Sequence, residues 1–446
     1  MNNVTRGIPA VPTVSQLKSM EPGENCECIV VLGWQRAGDG GGGEFYWDAD
    51  SKDSENGGTC ICPQDHSGPG CWKRLRIDNT INVKWFGAAG DGTSDDYQAI
   101  QNAIDYTLRG ERLLIPTGEY AVSRRLHVEV PDLVFEGEGT LMPHGKMNDF
   151  LIEFVRGARD IDQDMFPREI RFRVERLKIR GKNKSRGVFI SHVDSSLFSN
   201  INIEGTVGTA MRIHSCRESD FINTDIARCK GNGESLLDMY QRSREPDHLG
   251  GTRHCAEGFA DATNNLRFYG LNIVMSDAKC YLDIGIDDPE SEYAGGWVRS
   301  MQFTGLQIHQ IPKFYYDPEE SRVSHVKRSM EGAADFLLYD GYTHCEDVSM
   351  IRIRNAVSIH FSHSNFPNTD CTGCIVQLGD QDAPAVDCVF FGCRFVASFA
   401  ASEYFEADNV ALDIRNAKGI KAYGCTFKMP EEKIIRNPGL QAVQMI

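Results

Sequence analysis

From Val174 onward the chain repeats a short alternation of apolar and polar residues. The segments VERLKI, FSNINI, FINTDI, FYGLNI, FTGLQI, FSHSNF, FGCRF and YGCTF recur, and most share an apolar residue at the first and sixth places. The first places are Val174, Phe198, Phe221, Phe268, Phe303, Phe361, Phe390 and Ala422, spaced 24, 23, 47, 35, 58, 29 and 32 residues apart. The pattern predicts a unit of about 23–24 residues with extra residues inserted in some turns. The 47-residue gap is either two units or one unit with a long insertion.

A second strand precedes the repeat at a constant offset. Ile190 to Phe198, Ile213 to Phe221, Ile353 to Phe361 and Ile414 to Ala422 are each eight residues, which implies the same turn each time. Short alternating strands joined by tight polar turns bury their apolar side only against neighbouring copies, so the pattern predicts an all-β parallel β-helix. Leu177, Ile201, Leu271 and Leu306 should then stack inward, as should Ile179, Ile203, Ile226, Ile273, Ile308, Phe366, Phe395 and Phe427. A β-sandwich does not explain a register held over this length. Cys393 and Cys425 share an interior place in successive coils and read as small core residues, which disfavours a zinc ribbon built from Cys371, Cys374, Cys388 and Cys393.

Upstream the period changes. Ala99, Ile100, Ala103, Ile104, Thr107 and Leu108 lie on one helical face; Ser94 can cap its start, Asp95 and Asp96 suit the first turn, and Gly110 can end it. A helix over 94–109 would cover the open end of the first coil. Asp91, Asp95 and Asp96 therefore read as turn and cap. Gly40–Gly43 reads as a turn before the strand-like Phe45, Tyr46 and Trp47, with no helix to bind phosphate. Cys26, Cys28, Cys60, Cys62, Cys71 and His66 could form a zinc or disulfide cluster, although C-x-C spacing suits a tetrahedral site poorly.

The run Phe86-Gly87-Ala88-x-Gly90-Asp91-Gly92-Thr93-x-Asp95-Asp96, then Ala99-Ile100-Gln101-x-Ala103-Ile104 and Ile115-Pro116-x-Gly118-x-Tyr120, resembles the opening of pectate-lyase-superfamily right-handed β-helix proteins, in particular bacteriophage tailspikes and related polysaccharide depolymerases. Gly38-Asp39-Gly40-Gly41-Gly42-Gly43-x-Phe45-x-Trp47-Asp48, with Asn56-Gly57-Gly58-Thr59 and Trp72-Lys73-Arg74, is similar to the small module upstream of many such spikes. The resemblance implies a right-handed parallel β-helix, a homotrimer and cleavage of a cell-surface polysaccharide by a phage or phage-like particle. The expected layout is a linker over 1–28, a small β-rich module over 29–80, the capped β-helix over 81–430 and a tail over 431–446.

Charge and composition narrow the partners. The chain has 47 basic and 63 acidic side chains, a net charge of −16, which repels nucleic acid. No apolar run is long enough to insert in a membrane, and no apolar stretch behind Arg6 forms a signal peptide, so release inside the producing cell and then a place on the virion are expected. Fifteen cysteines is an odd number, which makes reduced thiols the default.

A β-helix face is a ladder of side chains ~4.8 Å apart, and long turns can wall a groove for a polymer. Residues 229–264, 285–299, 309–347 and 379–388 are the expected walls. Glycoside hydrolysis needs two carboxyls, about 5 Å apart for retention or roughly 6.5–9.5 Å for inversion. Asp225 and Asp283 are the first candidates, followed by Asp238 and Glu234; Asn202, Arg212, Asn272, Tyr240, Tyr293 and Trp297 are candidate sugar contacts. Hydrolysis needs no cofactor. The alternatives are a lyase, with Arg212 or calcium neutralising a uronate, and a non-catalytic glycan-binding spike. Histidines 192, 214, 309, 360 and 363 read as partly buried or groove-lining rather than metal ligands.

Overall fold

The computed structural model describes residues 8–20, 27–155, 171–240, 244–246, 252–254, 263–276, 278, 280–285, 298–310, 349–368, 374–397, 410–436 and 443–445. The chain divides into two compact units: Met1–Thr206 with Cys216–Ile222 and Arg244–Ala260, and Val207–Ser215 with Asn223–Ser243 and Asp261–Ile446.

The first unit opens with a small sheet. Cys28–Val31, Gly43–Asp48, Cys71–Arg74 and Cys60–Ile61 pair antiparallel in that order, and Ala10–Val11 adds a parallel edge. The helix Val14–Lys18, N-capped by Thr13, packs Val14 and Leu17 against Ile29, Val31, Phe45, Ile61 and Trp72. The expectation of reduced thiols is corrected at one pair, Cys62 and Cys71, which form a disulfide, while the other described cysteines are thiols. They follow the Cys60–Ile61 strand and open its antiparallel partner, where their Cα atoms are 4.5 Å apart, within reach of a disulfide.

The amphipathic helix runs Tyr97–Tyr106, later than its sequence signals suggest. Ser94 does not cap it: Asp91–Asp95 is extended and pairs with Glu119–Val122, and Ser94 donates to the Asp91 carboxylate. The N-cap is Asp96, whose buried carboxylate turns back to accept the Ala89 and Gly90 amides at 2.6 and 3.0 Å. Ile100, Ala103 and Ile104 are buried as expected, whereas Leu108 is exposed because the helix has already ended. The capping role is visible in Gln101. Its amide accepts from the His127 N–H at 2.9 Å and donates to the His127 carbonyl at 3.0 Å, standing in for a strand beside Leu126–Val128.

The coils are parallel throughout. In the first unit Arg112–Ile115 pairs with Leu133–Gly137, which pairs with Phe172–Glu175; Leu126–Val128 pairs with Phe150–Val155, which pairs with Arg186–Ser191. In the second unit Met211–His214, Ser235–Tyr240, Cys280–Ile284, Ser349–Ile353, Cys374–Leu378, Val410–Ile414 and Ile435–Arg436 pair successively. Val443–Met445 pairs with Ile420–Tyr423, so rungs continue past residue 430.

The repeat positions pack as aromatic stacks. Phe198 and Phe221 lie 5.0 Å apart and within 7° of parallel. In the second unit Phe268, Phe303, Phe361 and Phe390 stack at 4.9, 5.0 and 5.3 Å. Two residues after the first place, each repeat adopts positive φ: Arg176, Asn200, Asn223, Gly270, Gly305, His363, Gly392 and Gly424. This left-handed bend turns the chain between inward-facing stacks, and it accounts for Gly and Asn at most of these places. The inward residues are buried, apart from partly covered Phe427 in a late rung. The repeated offset is likewise one turn, with positive φ at His192 and Ser195 and again at Ser215 and Glu218.

Among the described residues the 47-residue gap holds one further parallel rung, Ser235–Tyr240, and an antiparallel pair, Arg244–Pro246 with Thr252–His254, which fits one coil with an insertion. Residues 379–388 do not form a long wall: a tight Asp380–Ala383 bridge leads directly into the rung Ala385–Val386. Most of 241–262, 286–297 and 311–348 lie outside the described residues.

Candidate active site

Along the second unit's rungs, alternation sends Leu237, Leu282, Ile351 and Val376 into the core and their neighbours to the other face of the sheet. Register then aligns Arg212, Asp238, Asp283, Arg352, Gln377, Asp413 and Arg436 on successive strands. Asp238 and Asp283, each 9% exposed, are therefore register partners on adjacent rungs, whose backbones lie about 4.8 Å apart.

Each carboxylate has an arginine. Arg212 grips Asp238 with Nε at 3.0 Å from both oxygens and Nη2 at 2.7 Å from Oδ2. Arg354 donates to both oxygens of Asp283 at 3.0 and 3.1 Å, and Ser235 Oγ donates to Oδ2 at 3.0 Å. Thr209 donates its N–H and hydroxyl to Glu234 at 3.0 and 2.9 Å and lies 3.4 Å from Asp238 Oδ2. Tyr240 closes this end, its ring 3.6 Å from that of buried His214 and 5.9 Å from the Arg212 guanidinium.

Burial pushes the Asp238 carboxyl above its usual range; Arg212 pulls the other way, and the negative charge of Asp283 adds to the rise. A buried carboxyl that favours its proton is what a general acid needs.

Five expected residues, Glu234, Asp238, Asp283, Arg212 and Tyr240, thus come together. Asp225 does not join them. It lies on Asp220–Ala227, in the sheet that carries the aromatic repeat, and accepts from Asn272 Nδ2 at 2.8 Å. Asn202 is exposed on Leu197–Glu204, opposite Lys178. Tyr293 and Trp297 lie outside the described residues. Arg354, Thr209 and Ser235 were not expected. Alternation from Asp283 points to its register partner Arg352, whereas Arg354 reaches Asp283 from two residues further along. Among the other histidines, His214 and His192 are buried and His360 and His363 exposed.

A second polar cluster lies in the first unit. Buried Glu153 meets His127 Nδ1 at 2.7 Å and Arg125 at 2.6 Å, and Arg125 also pairs with Asp149. Burial alone would raise the Glu153 carboxyl, but His127 and Arg125 together hold it down at about 2.

Residues 10–77 match the model of a phage tail protein small four-stranded β-sheet domain, and residues 80–167 match rhamnogalacturonase A/epimerase, pectate lyase-like. A mannuronan C5-epimerase, AlgE5 of Azotobacter vinelandii, is 59% identical over 44 residues, 9% of this chain and 4% of that protein. The chain thus spans a small fraction of such relatives. Among solved structures, the enzymatically active domain of bacteriophage CBA120 tailspike protein 2 aligns with a TM-score of 0.52 at 13% identity, covering 100% of this chain and 57% of that one. The tailspike gp49 of Acinetobacter baumannii bacteriophage Fri1, a capsular polysaccharide depolymerase, aligns at 0.51 and 10% identity, covering 97% and 77%. ORF18 of Geobacillus virus E2 aligns at 0.50 and 14%, covering 94% and 74%. The chain therefore joins a phage-tail four-stranded β-sheet domain to a pectate-lyase-like segment and shares the parallel β-helix fold of phage tailspikes.

Proposed function

We propose that the chain is a tailspike-like depolymerase that cleaves a cell-surface polysaccharide, with Asp238 as proton donor and Asp283 as second carboxylate. The observation that carries this reading is their placement on adjacent rungs, each held by its own arginine. The raised carboxyl of Asp238 suits a donor to the glycosidic oxygen. Asp283 then acts on the sugar, and a separation near one rung favours retention. Arg212 keeps Asp238 oriented, Glu234 and Thr209 hold the adjoining end, and Tyr240 offers a ring to a sugar face. Like the Fri1 protein, the chain would act on a capsular polysaccharide, as a homotrimeric spike serving host attachment.

Elimination is the second reading, favoured by the pectate-lyase-like match and by the guanidiniums of Arg212 and Arg354 beside the carboxylates. Calcium would belong to that reading. Digestion of a panel of capsular polysaccharides separates the outcomes. New reducing ends without an unsaturated ultraviolet chromophore support hydrolysis, the chromophore supports elimination, and bound but uncut polymer shows a glycan-binding spike. Hydrolysis that persists in Asp238→Asn and Asp283→Asn sinks the assignment of the pair.

A further inference from the structure

One end of the amino-terminal sheet brings together three sulfurs where a disulfide needs two. Cys60 opens the strand Cys60–Ile61, Cys62 directly follows it, and Cys71 opens the antiparallel partner. Their Sγ atoms all lie within 4.8 Å of one another. Cys62 and Cys71 can close as a disulfide, which leaves Cys60 buried at 2% exposure beside them. Its neighbour is Lys73, whose Nζ lies 3.3 Å from the Cys60 sulfur and pairs with Asp53.

We propose that in the reduced chain Cys60, Cys62 and Cys71 together bind one zinc ion. Thiolates on a tetrahedral zinc sit about 2.3 Å from the metal, hence roughly 3.8 Å apart, a spacing that the present separations reach with small side-chain rotations. Three thiolates and one divalent cation leave a single negative charge, and the Lys73 ammonium is already in place to balance it. The depression beside Cys62 and Cys71, lined also by Ser51, Pro63 and His66, has room for water as fourth ligand.

The chemistry closes with a thiol reductant. Two electrons and two protons from it break the Cys62–Cys71 bond and yield two thiols. Zinc then displaces three protons, including that of Cys60, to solvent. The metal and the disulfide are alternative staples for a module whose buried apolar cluster comprises Val14, Leu17, Ile29, Val31, Phe45, Ile61 and Trp72. A reducing cell interior selects zinc and an oxidising exterior selects the disulfide.

The test uses the full chain, reduced with a phosphine under inert gas and titrated with cobalt(II), whose tetrahedral thiolate complexes absorb in the visible. Saturation at one cobalt per chain is expected, with the band erased by zinc and absent in Cys60→Ser. That variant retains the Cys62–Cys71 disulfide, so its folding can be checked in the oxidised state before reduction. Failure of the reduced chain to give the tetrahedral band, or a band undiminished in Cys60→Ser, overturns the proposal.

Discussion

Glu153 in the first unit and Asp238 in the second are both buried carboxyls on short parallel strands, and both face an arginine. They titrate in opposite directions. Glu153 gains a second donor, His127, and its neighbour Asp149 is occupied by the same Arg125. Asp238 instead has another carboxylate, Asp283, on the next rung. Residue type and rung position do not set the role of a buried acid; the balance of charge around it does. Glu153 is placed to anchor the fold and Asp238 to hold a proton.

The sharpest way to break this comparison is to remove each charge without changing shape. Asp238→Asn should lower kcat on the cleaved polysaccharide by about 10²–10⁴, the usual worth of a positioned acid. Glu153→Gln should leave kcat within a few-fold, yet cost roughly 3–5 kcal/mol because Arg125 loses a buried partner. Circular dichroism at the assay temperature establishes that each variant is folded. Equal losses of kcat would erase the distinction.

Acid titration separates the two sites without mutation. Glu153 has a folded value of about 2 against an ordinary 4.5, so its stabilisation is complete above pH 4.5 and lost as pH falls toward 2. The loss is on the order of 3 kcal/mol and should appear as a steep acid limb in denaturant unfolding that Glu153→Gln flattens. Asp238 has the opposite sign: its folded carboxyl prefers the proton, so its contribution to stability falls as pH rises above its ordinary 3.8. In its proposed role as donor it must be protonated, and activity should then decline on the alkaline side of its raised titration while stability from Glu153 is intact.

Much of the fold was legible because the repeat is a local property of the chain. Phe268, Phe303, Phe361 and Phe390 occupy the same place in their segments and stack in space. The site was half legible. Arg212, Asp238 and Asp283 are all named as candidates from the sequence and share one ladder in the structure. Asp225 was misplaced because alternation says that a residue faces outward, not which sheet it faces outward from. Arg354, Thr209 and Ser235 were missed because they reach the acids diagonally or from a turn, contacts with no sequence period. The helix start was misjudged because Asp91–Asp95 pairs with a strand distant in sequence, which outweighs the local capping signal of Ser94.

The smallest expected effect tests how the first cluster is anchored. Gln101 holds both backbone groups of His127, and the same residue's ring holds Glu153. Gln101→Leu keeps the bulk of a side chain that is 8% exposed but leaves the His127 N–H and carbonyl without that partner, at a cost of about 1–3 kcal/mol. If the strand edge then frays, His127 shifts and the hold on Glu153 loosens, so the acid limb should move toward higher pH as well as the midpoint falling. A purely local loss would lower the midpoint at every pH by the same amount. Asp238 is on a rung with strands paired on both sides, so activity per folded molecule should not change.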